Sequence, residues 1–412
     1  MTGSAQASQK AVLIDARSPA CSLKLFDLTL LERILRQLDV LGLAQTEVLL
    51  DTARKLEDFL KPEFRKHFKL DVFSAKSART LDEAIETVFS SGSSLIILEG
   101  DAVYDDRVLE ALIDSKESIN ITSAETSPWA LHLTVSAWRQ GGRTLQGVMQ
   151  HGIQTIHTST MPSYLRFLRK YVEPSSHRVT LQTNLNAMEN GLYENTFKSG
   201  MEFIAVYGYR IPVREMTRYF AKTAITPNMI TGIATFCKLA AIPCFFVGWL
   251  MTGLLLAASF IILDSLDGKL ARMTFRFSRL ADLVDHRTTL PARIGWNLGM
   301  TWYFAHGDWT GLPAIAGLVA TTVPFLDDIN WVVIKTKFQK SLFDFTDLDT
   351  FAHLFTVKKH DIFLMILGVI LGVPLLTFYA VAIWTVATWL WHSARTLFIL
   401  FVLSKRHPEL LK

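Results

Sequence analysis

The sequence predicts a two-part protein, an α/β soluble domain followed by a bundle of six transmembrane helices. Three observations carry that prediction. The chain has 412 residues, room for two domains. Its 50% apolar content is unevenly spread, because the first two hundred residues are an ordinary mixture and the rest carries successive apolar runs rich in Trp and Phe. Within the first part, short apolar runs alternate with amphipathic stretches, the signature of strands layered against helices.

Residues 1–10, MTGSAQASQK, are polar and lack an apolar core, so a disordered N-terminus without a cleavable signal is expected. Residues 11–14 (AVLI), 46–50 (TEVLL) and 94–98 (SLIIL) are buried-strand runs. Between them, 29–41 (TLLERILRQLDVL) places apolar residues at i, i+3, i+4 and i+7, as a helix requires. The expected result is a parallel sheet in a domain spanning 11–200. The third run leads into Glu99, Gly100, Asp101, Asp105 and Asp106, beyond the carboxyl end of its strand, where such sheets gather ligands. After the first run comes Asp15-Ala16-Arg17-Ser18-Pro19-Ala20-Cys21-Ser22, without a glycine to bring backbone N–H groups onto a phosphate. Lys24 is either a phosphate ligand or a surface lysine. Segment 189–195 begins the crossing to the second part, and 201–224 forms a linker with an interfacial helix. In that helix, Val213, Met216 and Phe220 face one way and Arg214, Arg218 and Lys222 largely the other.

The membrane domain covers 225–412, with spans expected at 228–249, 252–272, 281–305, 310–334, 358–374 and 376–403. The third is the least apolar, because it holds Asp282, Asp285, Arg287 and Arg293. Lys and Arg cluster before span one, between spans two and three, between four and five, and after six. The turns near Met251, His306 and Gly372 carry none. The positive-inside rule then puts both termini on the cytoplasmic side. Pro227 at a helix start marks the beginning of span one.

Carboxylates inside such runs are costly, about 2.5–3.5 kcal/mol each on insertion scales, so they mark function. Asp264 and Asp267 lie one turn apart and can offer oxygens to one divalent cation. Gly268 admits a ligand to the backbone, and Arg272 adds a fixed positive charge one turn on. Asp285 shares a face with Asp282 and Thr289, while His286 is rotated about 100° away. Asp282 is either metal support or a dipole-stabilised carboxylate at a helix start. Asp327 and Asp328 fit an interfacial helix end or an acceptor contact. In span six His392 and Arg395 are one turn apart, and Arg395 either snorkels or binds phosphate.

Those residues resemble the CDP-alcohol phosphotransferase signature, D-x2-D-G-x2-A-R-x8-G-x3-D-x3-D. Asp264, Asp267, Gly268, Ala271 and Arg272 match its first half. In register, Ala281 stands at its second Gly, Asp285 at its third Asp and Thr289 at its fourth. The string Thr226-Pro227-Asn228-Met229-Ile230-Thr231 is similar to the TPNxxT start of the same family. The resemblance implies attack by an acceptor hydroxyl, lipid or soluble, on the β-phosphorus of a CDP-alcohol, with release of CMP. It also implies Mg²⁺ or Mn²⁺ held by Asp264, Asp267 and Asp285. Gly268, Ala271 and Arg272 would lie around the nucleotide, surrounding membrane lipids would bathe the spans, and the site would face the cytoplasm of a homodimer. Thr289 stands where that family's base projects and cannot itself take the proton, which leaves Asp282 and His286 as substitutes. The soluble half, through Leu30-Leu31-Glu32-Arg33 and EGDAVYDD, resembles the Rossmann-like nucleotidyltransferase domain of cytidylyltransferases. Lacking the glycine-rich loop, it is expected to have lost that activity.

A second function class is a degenerate homologue that binds CDP-nucleotide or lipid as a scaffold. A transporter is excluded by the absence of broken-helix pairs at the midplane. A net charge of +4 without a basic–aromatic stripe excludes nucleic acid. Cys21, Cys237 and Cys244 have no metal-ligand or disulfide spacing.

Overall fold

The computed structural model describes residues 10–43, 46–50, 55–65, 80–89, 94–123, 128–151, 153–165, 168, 170–197, 200–277 and 279–403. Side chains 63, 65, 279–282, 284 and 286 lie outside that description, so those of Ala281, Asp282 and His286 do too, as do residues 1–9. The chain divides into two compact units. One comprises residues 1–165, 171–195 and 273–275, the other 166–170, 196–272 and 276–412.

The first unit is built on β1 (Ala11–Asp15), which pairs in parallel with β2 (Thr46–Leu49) and β3 (Ser94–Glu99). These are the three apolar runs of the sequence. A short β4 (Ala102–Tyr104) follows, then β5 (Ile119–Thr122), β6 (Ala130–Thr134) and β7 (Gln154–His157). The six-stranded sheet runs β2-β1-β3-β6-β5-β7. It is mixed rather than wholly parallel, since β6 runs antiparallel to both β3 and β5. The physical reason is the short connection from β5 to β6, which can only reverse the chain. Alternate β1 residues feed two cores: Val12 and Ile14 pack with Ile34 and Leu35, Leu13 with Ile85 and Trp138. A sheet covered on both faces is why these strands read as unbroken apolar runs. Helix α1 (Leu30–Val40) starts where Thr29 Oγ1 accepts from Glu32 N, at the position its periodicity predicts. Helices α2 (Leu81–Phe89), α3 (Asp106–Asp114), α4 (Val135–Gln140), α5 (Leu145–Gln150) and α6 (Leu185–Glu194) complete the unit.

In the second unit, α7 (Arg210–Ala221) buries Val213, Thr217 and Ala221 in one line and leaves Ile211 and Tyr219 exposed. Met216 and Phe220 are only half-buried, so the covered face is rotated slightly from the one predicted. Long helices follow: α8 (Pro227–Val247), α9 (Leu250–Thr274), α10 (Arg279–Ala305) and α11 (Leu312–Phe338). After the short α12 (Asp347–Leu354) come α13 (His360–Ile370) and α14 (Pro374–Phe398). Helix α10 packs on α8 and α11, and α14 on α11 and α13. Among the described residues, four helices are long and apolar enough to cross a membrane: α8, α9, α11 and the stretch Pro374–Leu403. Only 22–44% of their most apolar windows is covered by protein, so residues such as Phe236 and Ile383 are left for lipid. These features mark an integral membrane protein. Helix α10 has the length but not the hydropathy, and α13 has the hydropathy but not the length.

Candidate functional site

Helices α8, α9 and α10 each present one polar face to a common point. On α8, Thr226 caps the helix by accepting from Met229 N, with Pro227 in the first turn. That start sets the phase for Thr231 and, two turns later, Lys238. On α9 the phase gives Asp264, Asp267 and Gly268; on α10 it gives Asp285 and Thr289.

The contacts bind these faces together. Thr231 Oγ1 donates to Asp267 Oδ2 at 2.5 Å, and the Gly268 N–H donates to the same carboxylate. Asp264 on α9 and Asp285 on α10 lie within electrostatic reach of each other. Lys238, wholly buried, donates from Nζ to Asp285 Oδ1 at 2.6 Å and to Thr289 Oγ1 at 2.9 Å. Its ammonium also lies 4.6 Å from the centre of the Phe260 ring, a cation–π contact. Trp296 Nε1 donates to Lys238 O at 2.8 Å and its ring meets Phe260 edge-on, so the helix turn bearing Lys238 is held from both sides.

Thr289 is thereby accounted for. Its hydroxyl donates to Asp285 O at 2.8 Å and accepts from Lys238. Both functions of the hydroxyl hold the Lys238–Asp285 pair in place. Arg272 lies over Gly268, where an added Cβ would stand 3.4 Å from its Nη2. Ala271 is half-buried on the same helix. The side chains of Asp282 and His286, the two predicted substitutes for the missing base, lie outside the described residues.

Lys238 was missed in the sequence, although a signal was there: a lone lysine in the middle of an apolar run is costly unless it meets a carboxylate. What the sequence could not show is which carboxylate it meets.

Among the described residues, no group of three Asp, Glu, His or Cys side chains is close enough to hold a metal ion. The donor chemistry nevertheless suits one. Carboxylates brought near one another, as Asp264 and Asp285 are, repel, and a cation between them removes that repulsion. The paired Lys238 and the more distant Lys359 offset the three carboxylates only in part, and carboxylate oxygens are the ligands that Mg²⁺ or Mn²⁺ takes.

The corresponding corner of the first unit is different. Arg17 forks onto Asp15 at 2.8 and 2.7 Å, and Gly100 closes on Asp15 O at 2.8 Å, where an added Cβ would meet Ala16 at 3.1 Å. This packing fills the loop after β1. Lys24 is exposed and pairs with Asp27 at 3.5 Å, the surface-lysine alternative. Glu99 binds Arg178, Asp105 caps α3 and binds Arg107, and Asp106 accepts from Gln37. Burial pushes the Asp106 carboxyl above the usual range. Among the described residues, Asp101 carries no side-chain hydrogen bond, although its carbonyl accepts from Val179 N at 2.7 Å.

No family model matches the chain, and no curated protein matches it. Solved structures similar to it include three of the phosphatidylinositol phosphate synthase of Mycobacterium tuberculosis: the apo form, one with CDP-DAG bound, and one with manganese and citrate. They are 17–18% identical, with a TM-score of 0.35, and the alignments cover 45–46% of this chain and 88–95% of theirs.

Proposed function

We propose that this protein is a membrane transferase that moves a phosphoalcohol group from a CDP-alcohol to an acceptor hydroxyl and releases CMP. The observation that carries the reading is the gathering of Asp264, Asp267 and Asp285 from α9 and α10, with Asp267 tied to Thr231 and Asp285 to Lys238. Carboxylates from two separate stretches of one signature converge where a bilayer would penalise them singly. Asp264, Asp267 and Asp285 would hold the Mg²⁺ or Mn²⁺, and Asp282 belongs with them in this proposal. A divalent cation bound there supplies charge neutralisation at the donor pyrophosphate. The chain's own residues do the rest. Lys238 holds Asp285 in place, Thr289 fixes that pair, and Thr231 orients Asp267. Gly268 gives the nucleotide access to the backbone, and Arg272 meets its phosphates.

The reading includes six spans, α8 to α11 together with α13 and its flanks and α14. The termini and the site are cytoplasmic, and the oligomer is a homodimer. The soluble unit is a cytidylyltransferase-like domain whose phosphate loop has been filled by Arg17 and Asp15.

Purified protein with Mg²⁺ or Mn²⁺ is expected to release CMP from one of a panel of CDP-alcohols when given an acceptor. Asp264→Asn is expected to lower that rate about 100-fold or more. No CMP from any donor–acceptor pair, together with unchanged cellular lipids in the Asp264→Asn strain, would sink the enzyme reading.

One observation favours a second reading, the non-catalytic scaffold: Lys238 already occupies Asp285 Oδ1. The scaffold predicts CDP binding without turnover. Turnover by the wild type separates the two; within the enzyme reading, Thr289→Asp raises turnover in a crippled site and lowers it in one rebuilt around Lys238.

A further inference from the structure

A cavity of about 110 Å³ lies inside the second unit, between α10, α11, the α12–α13 connection and α14. It follows the aspartate site along one helix face. Asp285, Thr289 and Arg293 are spaced four residues apart on α10, and Arg293 lines the cavity. A second link is the adjacent pair Lys358–Lys359, since Lys358 lines the cavity and Lys359 is within electrostatic reach of Asp264.

The lining is chemically specific. His392 Nδ1 is held by both carboxylate oxygens of Asp327 at 2.8 Å, and Trp331 Nε1 donates to the same carboxylate at 3.3 Å. Among the described residues no group bonds His392 Nε2, and the ring, 5% exposed, lines the cavity. An Asp-held imidazole with its second nitrogen open is the arrangement of a general base. The helix itself makes room for it. Pro324 within α11 cannot donate to Ala320 O, and Asn297 Nδ2 takes that carbonyl at 3.0 Å. The hydroxyls of Thr321 and Thr385 give their protons to helix carbonyls at 2.7 and 2.8 Å, so each offers the cavity only an acceptor oxygen. His353 Nδ1 is buried there without a partner, and burial pushes that imidazole down to about 4, so it is neutral. Arg293 and Lys358 are donors; Asp328 is an acceptor. These polar groups share the wall with Leu290, Ile294, Val323 and Pro324, so a small ligand with a carbon frame and hydroxyls that donate and accept suits it.

We propose that this cavity is the acceptor site, that it takes a small polyhydroxylated alcohol, and that His392, backed by Asp327, accepts the proton of the reacting hydroxyl. The proposal rests on the transferase reading and supplies the base that Thr289 cannot be. The hydroxyl O–H gives its proton to His392 Nε2 as its oxygen bonds to the β-phosphorus. The bond from that phosphorus to the bridging oxygen breaks, and CMP leaves with the electron pair. The imidazolium then returns its proton to solvent. A phosphate on the polyol would lie at Arg293 and Lys358; a neutral polyol would leave them to the carboxylates.

The test uses the full chain in lipid nanodiscs with Mn²⁺, CDP-diacylglycerol or a soluble CDP-alcohol, and uncharged polyols beside their monophosphates. His392→Ala is expected to lower kcat about 100-fold with the donor KM little changed, and added imidazole restores part of the rate. Asp327→Asn lowers kcat without imidazole rescue. Thr321→Leu, which leaves the His392–Asp327 pair intact, raises the acceptor KM about tenfold by removing an acceptor oxygen and narrowing the cavity. A kcat for His392→Ala within about threefold of wild type overturns the base assignment, since a positioned base contributes at least about 100-fold. If wild-type protein releases no CMP at all, the transferase reading fails, and calorimetry still decides the cavity. Binding of a polyol or its monophosphate that Thr321→Leu weakens upholds the cavity as a polyol site, and no binding by any of them overturns it.

Discussion

Two acidic corners of this molecule look alike in sequence and differ in what surrounds them. EGDAVYDD in the α/β unit carries four carboxylates, and the α9–α10 motif in the membrane unit carries three described ones. In the α/β corner, Arg178, Arg107 and Gln37 already satisfy Glu99, Asp105 and Asp106. In the membrane corner, Asp264 and Asp285 lie within electrostatic reach of each other, Lys238 pairs with Asp285, and Lys359 acts on Asp264 from a distance. A carboxylate matched by a protein cation is a structural part; two that adjoin each other leave charge for a ligand to complete.

Breaking the fixed pair has the largest expected effect on that contrast. Lys238→Met strands Asp285 beside Asp264 in a buried site, a loss of about 3–5 kcal/mol in thermal or denaturant unfolding. Mn²⁺ should recover part of it, and a variant as stable as wild type without metal would show that Lys238 carries no structural charge. Thr231→Val removes the 2.5 Å bond to Asp267 and is expected to cost about 1–3 kcal/mol. If the carboxylate serves a cation, Mn²⁺ affinity falls with it; unaltered affinity would place Asp267 outside the metal site. In the α/β corner, Asp105→Ala should cost about 1 kcal/mol, because it uncaps α3. Asp101→Ala should stay within about 0.5 kcal/mol. Equal losses for the two would mean Asp101 has a structural partner.

The smallest effect is a pH dependence. Asp106 is raised by burial in the folded unit, so its stabilising contribution is complete below the unfolded carboxylate range and is lost as pH rises through the folded value. Asp106→Asn therefore gains stability relative to wild type at neutral pH, and the gain vanishes in acid. A gain that persists at low pH would assign the effect to the Gln37 bond instead.

Much of this was legible beforehand. The three strands, the capped start of α1, the apolar helices and the carboxylate positions follow from local pattern, because burial on a strand or helix repeats every two or 3.6 residues. The sheet's mixed direction was not, since strands carry no mark of their partners' polarity. Nor were the partners of Arg17, Lys238 and His392, which lie on other elements. His392 and Asp327 were singled out separately, 65 residues apart, and nothing in either segment joins them.

By itself, the sequence determined that an α/β unit stands ahead of a helical membrane unit, and that carboxylates sit where bilayers resist them. Periodicity and the cost of burying charge are local properties, and local properties are written in order along a chain. The tertiary structure decided which charges remain unmatched. Thr231 takes Asp267, Lys238 takes Asp285 and Thr289, and Asp327 holds His392. Those pairings depend on distances between helices, and the D-x2-D-G-x2-A-R stretch cannot specify them alone, because each of its residues sees its partner only after packing.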